Sequence, residues 1–250
     1  METHESKQPE APAVFAFHPL RKVWHVIGTS LIIFLFHLLK GVTWPVAGPA
    51  LLMGVAWMET VAAFAMEIVR FRSPREQEAI ERLPFVRRVM RGDEKGHVNA
   101  STWLMFATAL MATGYFLGWC GETAVTCALA VVAVADPAAS WARHQARRRG
   151  SNRIRAAGLW AFFLCAFAVV AVTAWIMGAP WRPWTVAAAA LAGAWAESDL
   201  LRMAGWLLAR LRRMPVSHPA ATGWLSRIYP DDNLLIPLAV TVTLAALAGW

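Results

Sequence analysis

The feature that most constrains this chain is a series of apolar runs, each close to the length that crosses a lipid bilayer. A transmembrane helix needs about 20 predominantly apolar residues in succession. The runs lie at positions 23–39, 42–69, 98–119, 121–141, 156–178, 184–209 and 233–250. Because 58% of the residues are hydrophobic and only 16% are charged, the composition is also that of a membrane protein. We therefore predict an all-α fold, a polytopic bundle of about seven transmembrane helices.

The basic residues between the runs predict the orientation of this bundle. Of the 24 lysines and arginines, 22 fall on one side of the predicted membrane, and the exceptions are Lys40 and Arg182. Cytoplasmic loops carry such an excess, so we expect a cytoplasmic N-terminus and an external C-terminus. Residues 1–20 then form a polar cytoplasmic tail, and residues 21–250 a single integral-membrane domain. This orientation explains the net charge of +8, so no nucleic-acid partner is needed to account for it. The composition rich in arginine and alanine favours a bacterial inner membrane as the location.

The stretch from Val131 to Phe163 carries charges suited to a site at the membrane edge. An apolar run ends at Asp136–Pro137, where we expect the helix to deform because the residue before a proline avoids helical backbone. The arginines that follow are Arg143, Arg147, Arg148, Arg149, Arg153 and Arg155. An ionisable group at membrane depth is costly and is by default a candidate functional residue. Asp136 facing this loop is suited to holding a metal ion and a phosphate, or else it simply pairs with Arg143.

Further polar residues border the runs on the same predicted side. Before the first run stand Arg21, Lys22 and His25, and before the third stand Arg91, Glu94 and Asn99. These residues either meet phosphate at helix N-termini or serve as interfacial anchors, loop charges and, for Asn99, a helix cap. Asp231, Asp232 and Asn233 precede the last run as site residues or as an ordinary cap. Glu197, within AGAWAESDLL, needs a cationic partner or a metal ion.

Two local patterns concern the second run and the loop from 71 to 97. The motif Ser-Pro-Arg-Glu beginning at Ser73 predicts a capped, short amphipathic helix on the membrane surface. Just before it, Glu67 and Arg70 are three residues apart and are predicted to pair on one helix face. Glu59 is the deepest charge, and its position alone assigns it no role. The cysteines lie in or beside apolar runs without a CxxC spacing, so we expect neither a disulfide framework nor a zinc site.

Taken in order, these segments resemble the CTP-dependent lipid kinase family, which includes dolichol kinase, phytol kinase and yeast-type diacylglycerol kinase. The similar segments are RKVWH at 21–25, EIVR at 67–70, MRGDEKGHVNAST at 90–102, ADPAASWAR at 135–143, GLWAFF at 158–163, AWAESDLL at 194–201 and DDNLLIPL at 231–238. The resemblance implies transfer of a phosphoryl group from a nucleoside triphosphate to the hydroxyl of a lipid alcohol. CTP is the favoured donor, with ATP as the alternative, and diacylglycerol or a prenyl alcohol is the acceptor.

The resemblance also implies roles for individual residues. Asp136 and Asp232 are expected to hold Mg²⁺, and with Glu197 they form the predicted catalytic set. The predicted residues for binding nucleotide and phosphate are Arg21, Lys22, His25, Arg91, Glu94, Asn99, Arg143, Arg153, Arg155 and Asn233. Asp136 is further expected to orient or deprotonate the lipid hydroxyl. The active site is then expected at the cytoplasmic face.

Departures from the family pattern keep other functions open. Ala142 stands where the family usually has glycine, and Ile154 and Arg155 replace a Lys-Ser pair before Gly158. Arginine and lysine are not equivalent phosphate ligands, so a catalytically degenerate relative or a non-enzymatic membrane protein is the main alternative. A cytidylyltransferase-type enzyme is a further one, although the sequence has no HGG motif. A CDP-alcohol phosphotransferase is disfavoured because no acid lies between Asp136 and Glu197.

Overall fold

The chain was analysed as a computed structural model, which describes residues 19–82, 97–180, 182–198 and 231–250. Every regular element in these residues is an α-helix, which confirms the all-α prediction for this part of the chain. The helices are α1 (Pro19–Leu39), α2 (Gly48–Arg72), α3 (Pro74–Glu81), α4 (Ala100–Phe116), α5 (Glu122–Arg148), α6 (Ile154–Ile176), α7 (Pro183–Glu197) and α8 (Asp232–Ala248). Each predicted apolar run contains one of the longer helices, and the motif beginning at Ser73 introduces α3.

Four of the described helices are long and apolar enough to cross a membrane. They are α1, α2, α5 and α6, with 21, 25, 27 and 23 residues. At about 1.5 Å per residue, each of them exceeds a hydrocarbon core about 30 Å thick. Helix α8 is apolar but has 17 residues. The protein is therefore an integral membrane protein by the length and composition of these helices.

Helix α5 is the centre of the bundle. In its most apolar stretch, 67% of the residues are buried. The corresponding share is 11% in α1 and 22% in both α2 and α6. It packs mainly against α6, α8 and α1, while α7 lies against α6 and α8. Helices α2 and α4 pair with each other, and α4 also contacts α8. The outer helices thus keep much of their apolar surface free to face lipid.

Contacts at the two ends of α1 and α5 show that these helices run in opposite directions. Near the start of α1, Lys22 contacts Asp136 in the second half of α5. Beyond the end of α1, Lys40 pairs with Glu122 at the start of α5. We call the end of the bundle where α1 begins and α5 ends the basic end. The candidate site lies at this end.

Small residues bring α7 close to the core. A β-carbon at Gly193 would lie 3.1 Å from Phe162 of α6 and 3.1 Å from Val240 of α8. Glycine and alanine allow such close approach between helices in membranes. Helix α7 ends at Glu197, and its packing therefore carries this acid to the basic end.

Local signals in the sequence account for several helix boundaries. The Ser73 hydroxyl accepts a hydrogen bond from the backbone N–H of Glu76 at 3.2 Å, as expected for the cap of α3. Glu67 and Arg70 pair as predicted, with 2.8 Å between Nε and Oε2. Helix α5 does not end at the Asp136–Pro137 step, where we expected deformation, but continues as α-helix to Arg148. Ala135 and Ala139, on either side of the proline, are fully buried, and this packing supports the helix there despite the missing N–H.

Candidate functional site

The first component of the candidate site is a buried ion pair between α1 and α5. The Lys22 ammonium donates to Oδ2 of Asp136 at 2.8 Å, and the two side chains are 14% and 12% exposed. Nε2 of His25, one turn further along α1, lies 3.9 Å from the same oxygen. That nitrogen is buried and has no hydrogen-bond partner in the described part of the chain. Asp136 therefore faces a lysine and a histidine, in place of the Arg143 partner considered from sequence.

The second component joins α5 to α7. The Arg143 guanidinium pairs with Oε1 of Glu197, whose side chain is 3% exposed. This arginine provides the cationic partner that the sequence required for Glu197. Gly158 in the first turns of α6 lies against the Arg143 side chain, where a β-carbon would come within 2.7 Å of Cγ. Gly158 and Arg143 belong to two different segments of the family resemblance, and the structure shows that these two residues are in contact.

The third component is the start of α8. Oδ1 of Asp232 accepts from the backbone N–H of Asn233 at 3.1 Å, and Asn233 is buried. Asp232 lies close enough to His25 and Glu197 to interact with both electrostatically. Just before the helix, burial and the negative charge of Asp232 raise the pKa of Asp231 to about 9. Asp231 is therefore protonated and neutral at pH 7.

These components form one group at the basic end, which we call the polar cluster. Its members are Lys22, His25, Asp136, Arg143, Glu197 and Asp232. They come from four helices that lie far apart in sequence, α1, α5, α7 and α8. Three carboxyl groups face one lysine, one arginine and one histidine. Each cation pairs with one acid, so an anionic ligand that reaches them must share the N–H donors with a carboxylate or replace it.

Several other predicted site residues have different surroundings or lie outside the described residues. Asn99 caps α4 by accepting from the backbone N–H of Ser101 at 3.1 Å, which is the ordinary role weighed from sequence. Arg153 and Arg155 are exposed at the start of α6 and form no ion pair within the described residues. Arg21 lies on the first turn of α1, beside Lys22. Positions 91 and 94, predicted as part of the site, lie outside the described residues.

The acids at the basic end limit the type of metal site that is possible. Among residues 19–82, 97–180, 182–198 and 231–250, no three side chains of the types His, Cys, Asp and Glu gather in a metal-binding group. The described residues therefore do not support a metal site formed by protein ligands alone. Mg²⁺ is commonly held by one or two carboxylates together with substrate phosphates, and that mode needs only Asp136 and Asp232.

Sequence reasoning missed the partners of two residues that it had selected. It did not join Lys22 to Asp136, because nothing local links positions 114 residues apart. It also missed a second network, in which Oε1 of Glu67 accepts from the backbone N–H of Asn99 at 3.0 Å. The sequence had no signal for that network, because Glu67 and Asn99 are 32 residues apart and meet only through the packing of α2 against α4.

The comparisons with known proteins return nothing for this chain. No family model matches the sequence, and neither the curated proteins nor the solved structures include a match.

Proposed function

We propose that this protein is a membrane-embedded lipid kinase that phosphorylates the hydroxyl of a lipid alcohol. The observation that carries the proposal is the polar cluster, in which acids and cations from four separate helices meet at one end of an apolar bundle. Phosphoryl transfer requires mainly positioning and the neutralisation of charge, and this cluster contains groups for both. All six of its positions lie in the short segments that resemble CTP-dependent lipid kinases.

Lys22 and Arg143 are the groups proposed to bind phosphate oxygens. Each is held by one carboxylate, so a phosphate that enters the cluster competes with an existing acid. The guanidinium of Arg143 is suited to this task because it offers a planar set of N–H donors. His25 lies beside Asp136 with Nε2 buried, and it is placed to donate to the same phosphate. Nucleotide binding then releases Asp136 from Lys22.

The carboxylates have complementary roles in this proposal. Asp136 and Asp232 would hold Mg²⁺ that arrives with the nucleotide, and the metal would neutralise charge on the triphosphate. Asp136, once released from Lys22, also accepts the proton of the lipid hydroxyl. Glu197 keeps Arg143 in place by pairing with it from α7. Donor specificity, CTP in preference to ATP, rests only on the resemblance.

An apolar groove supports a lipid acceptor. It lies between α1, α2, α4 and α5 and has an empty volume of about 490 Å³, its open side included. Ile32 and Leu129 belong to its lining, each seven residues from a member of the polar cluster, or about 10 Å along the helix. Helices α1 and α2 make few contacts with each other, so a lipid could enter the groove from the bilayer between them. A lipid chain in this groove would leave its hydroxyl near Asp136.

The proposal includes a topology with seven spans and a cytoplasmic N-terminus. It is supported by the longer helices in each apolar run and by the basic residues at the end where α1 begins. The polar cluster then faces the cytoplasm, where nucleoside triphosphates are present. The composition favours a bacterial inner membrane as the location.

A second candidate function is a membrane protein without catalysis. The pairing of both cations in the polar cluster favours it, because Lys22–Asp136 and Arg143–Glu197 can also be read as structural ion pairs between neighbouring helices. Ile154 and Arg155, in place of the Lys-Ser pair of the family, point the same way.

The test is a phosphoryl-transfer assay on the purified protein in lipid nanodiscs. Labelled CTP and ATP are offered with Mg²⁺ and a panel of diacylglycerol and prenyl alcohols. We expect a labelled lipid phosphate from wild type and its loss in Asp136→Asn. The matched control is Glu122→Gln, which changes a carboxylate at the other end of the same helix and should keep activity. No product from any pair of substrates, from a folded wild-type protein, would favour the second candidate.

A further inference from the structure

The turn between α5 and α6 carries the densest positive charge in the described residues. Five arginines lie within nine positions, and all of their side chains are exposed. They are Arg147, Arg148, Arg149, Arg153 and Arg155, which we call the arginine tip. None of them forms an ion pair with the described residues, and the sequence has no acid from Pro137 to Ala196. Within the described part of the chain, the charge of the tip is therefore uncompensated.

The backbone of the tip is a defined turn. Gly150 takes the left-handed conformation with φ of +65°, and its N–H donates to the carbonyl of Arg147 at 2.9 Å. The N–H of Ser151 donates to the carbonyl of Ala146 at 3.0 Å, which completes a typical helix C-terminal motif. The Ser151 hydroxyl accepts from the N–H of Arg153 at 3.1 Å. These bonds fix the backbone of the turn that carries the five arginines.

The flanking tryptophans place this turn at the membrane surface. Helix α5 has 27 residues, or about 40 Å, so its last turns extend beyond a hydrocarbon core about 30 Å thick. Trp141 on α5 and Trp160 on α6 are 55% and 62% exposed. Tryptophan is enriched at the boundary between hydrocarbon and headgroups. The arginine tip follows Trp141 by two turns and therefore lies at the level of the lipid headgroups or just beyond it.

We propose that the arginine tip is a binding surface for the headgroups of anionic phospholipids in the adjacent leaflet. Clusters of basic residues next to a membrane helix attract anionic lipids, and guanidinium groups pair well with phosphate. The occupant fits three observations, which are the uncompensated charge, the depth set by the tryptophans and the rigid turn. This surface is separate from the polar cluster, so the inference does not depend on kinase activity.

The test maps arginine reactivity in the wild-type protein. Nanodiscs are made of phosphatidylcholine alone, or of equal parts phosphatidylcholine and phosphatidylglycerol. An arginine-selective dicarbonyl reagent modifies the protein, and mass spectrometry reports the rate at each position. Arg75 and Arg82 are the internal controls, because both are exposed outside the tip. We expect phosphatidylglycerol to slow modification of the tip about fivefold or more, and to slow the controls much less.

Three outcomes would overturn the proposal. One is no slowing at the tip. Another is equal slowing at the tip and at Arg75 and Arg82, which would show only the general surface potential. The third is protection of the tip by CTP or ATP in phosphatidylcholine nanodiscs, which would assign this surface to soluble nucleotide. The measurement uses no variant, so misfolding cannot obscure the result.

A variant then tests the need for guanidinium groups. Replacing Arg147, Arg148 and Arg149 together by lysine keeps the charge, whereas replacing them by glutamine removes it. We expect the stabilisation by phosphatidylglycerol, measured as the shift in melting temperature, to fall in the lysine variant and to fall further in the glutamine variant, where only Arg153 and Arg155 remain of the tip. A glutamine variant that is folded and keeps the full lipid-dependent shift would contradict the proposal.

Discussion

Gly158 lies so close to Arg143 that a β-carbon at position 158 would come within 2.7 Å of Cγ and 3.0 Å of Nη1. Because the glycine has no side chain, the arginine can lie flat against the first turns of α6. From there its guanidinium reaches Glu197 at the end of α7. One glycine thus allows an ion pair between two other helices.

We expect Gly158→Ala to displace Arg143 and weaken its pair with Glu197. The free energy of unfolding should fall by about 1–3 kcal/mol, as for other overpacked sites. If the proposed function is right, phosphoryl transfer should fall together with stability. The measurement is thermal unfolding in detergent, combined with the nanodisc assay.

The control for this change is Gly54→Ala, in the middle of α2. A β-carbon at Gly54 would meet nothing within 4 Å, and alanine favours a helix interior over glycine by about 0.5–1 kcal/mol. This variant should be neutral or slightly stabilised. Equal losses from both substitutions would show that the contact with Arg143 is not the cause.

The pair Lys22–Asp136 should have a measurable coupling energy. A double-mutant cycle with Lys22→Gln and Asp136→Asn is expected to give about 1–3 kcal/mol, because both side chains are largely buried. The matched pair is Lys40–Glu122, which joins the same two helices at the other end and is 26% and 41% exposed. Its cycle should give about 1 kcal/mol or less. Similar values at the two ends would argue against a special environment for Asp136.

Glu67 should be important for the stability of α2 and α4. Its Oε1 accepts from the N–H of Asn99 at 3.0 Å and from the Thr102 hydroxyl at 3.2 Å, and Oε2 accepts from Arg70. Glu67→Ala leaves the buried Arg70 without this acid, so we expect a loss of about 3 kcal/mol in unfolding free energy.

The comparison for Glu67 is an exposed ion pair on the neighbouring helix. Arg82 pairs with Glu78 at 3.0 Å, and its side chain is 80% exposed. Arg82→Ala should change stability by about 0.5 kcal/mol or less. Chemical unfolding of both variants in the same detergent provides the measurement, and a Glu67→Ala loss no larger than that of Arg82→Ala would contradict the assignment.

The raised pKa of Asp231 predicts how stability depends on pH. The folded protein keeps this proton up to a pKa of about 9, whereas the unfolded chain loses it near its ordinary value of 3.8. Between these values the folded state binds more protons, so the contribution of Asp231 to stability falls as pH rises. Asp231→Asn removes this contribution.

Melting curves between pH 5 and about pH 9 test this expectation. Asp231→Asn should gain stability relative to wild type as pH increases, and the difference should be smallest at the acidic end. A constant difference between the two proteins over the whole range would show that Asp231 is already ionised in the folded state.

Local features of the fold were predictable where short-range chemistry decides them. The apolar runs predicted where the helices lie, because a segment that can enter a bilayer must satisfy its backbone internally. The cap at Ser73 and the pair Glu67–Arg70 were predictable because their partners lie within one turn. The sequence also identified Asp136, Glu197 and Asp232 as candidate residues, because an ionisable group at membrane depth is costly and is often functional.

The sequence by itself thus determined the helical class and the membrane character. It also identified Asp136, Glu197 and Asp232 as acids near the ends of apolar runs. Only the tertiary structure decided which cation pairs with which acid. Asp136 contacts Lys22, 114 positions away, and Arg143 contacts Glu197, 54 positions away. Such pairings depend on which helix faces meet and on how closely they pack, as Gly158 shows. Helix periodicity fixes the faces of one helix, whereas the choice of neighbouring helix depends on packing of the whole bundle.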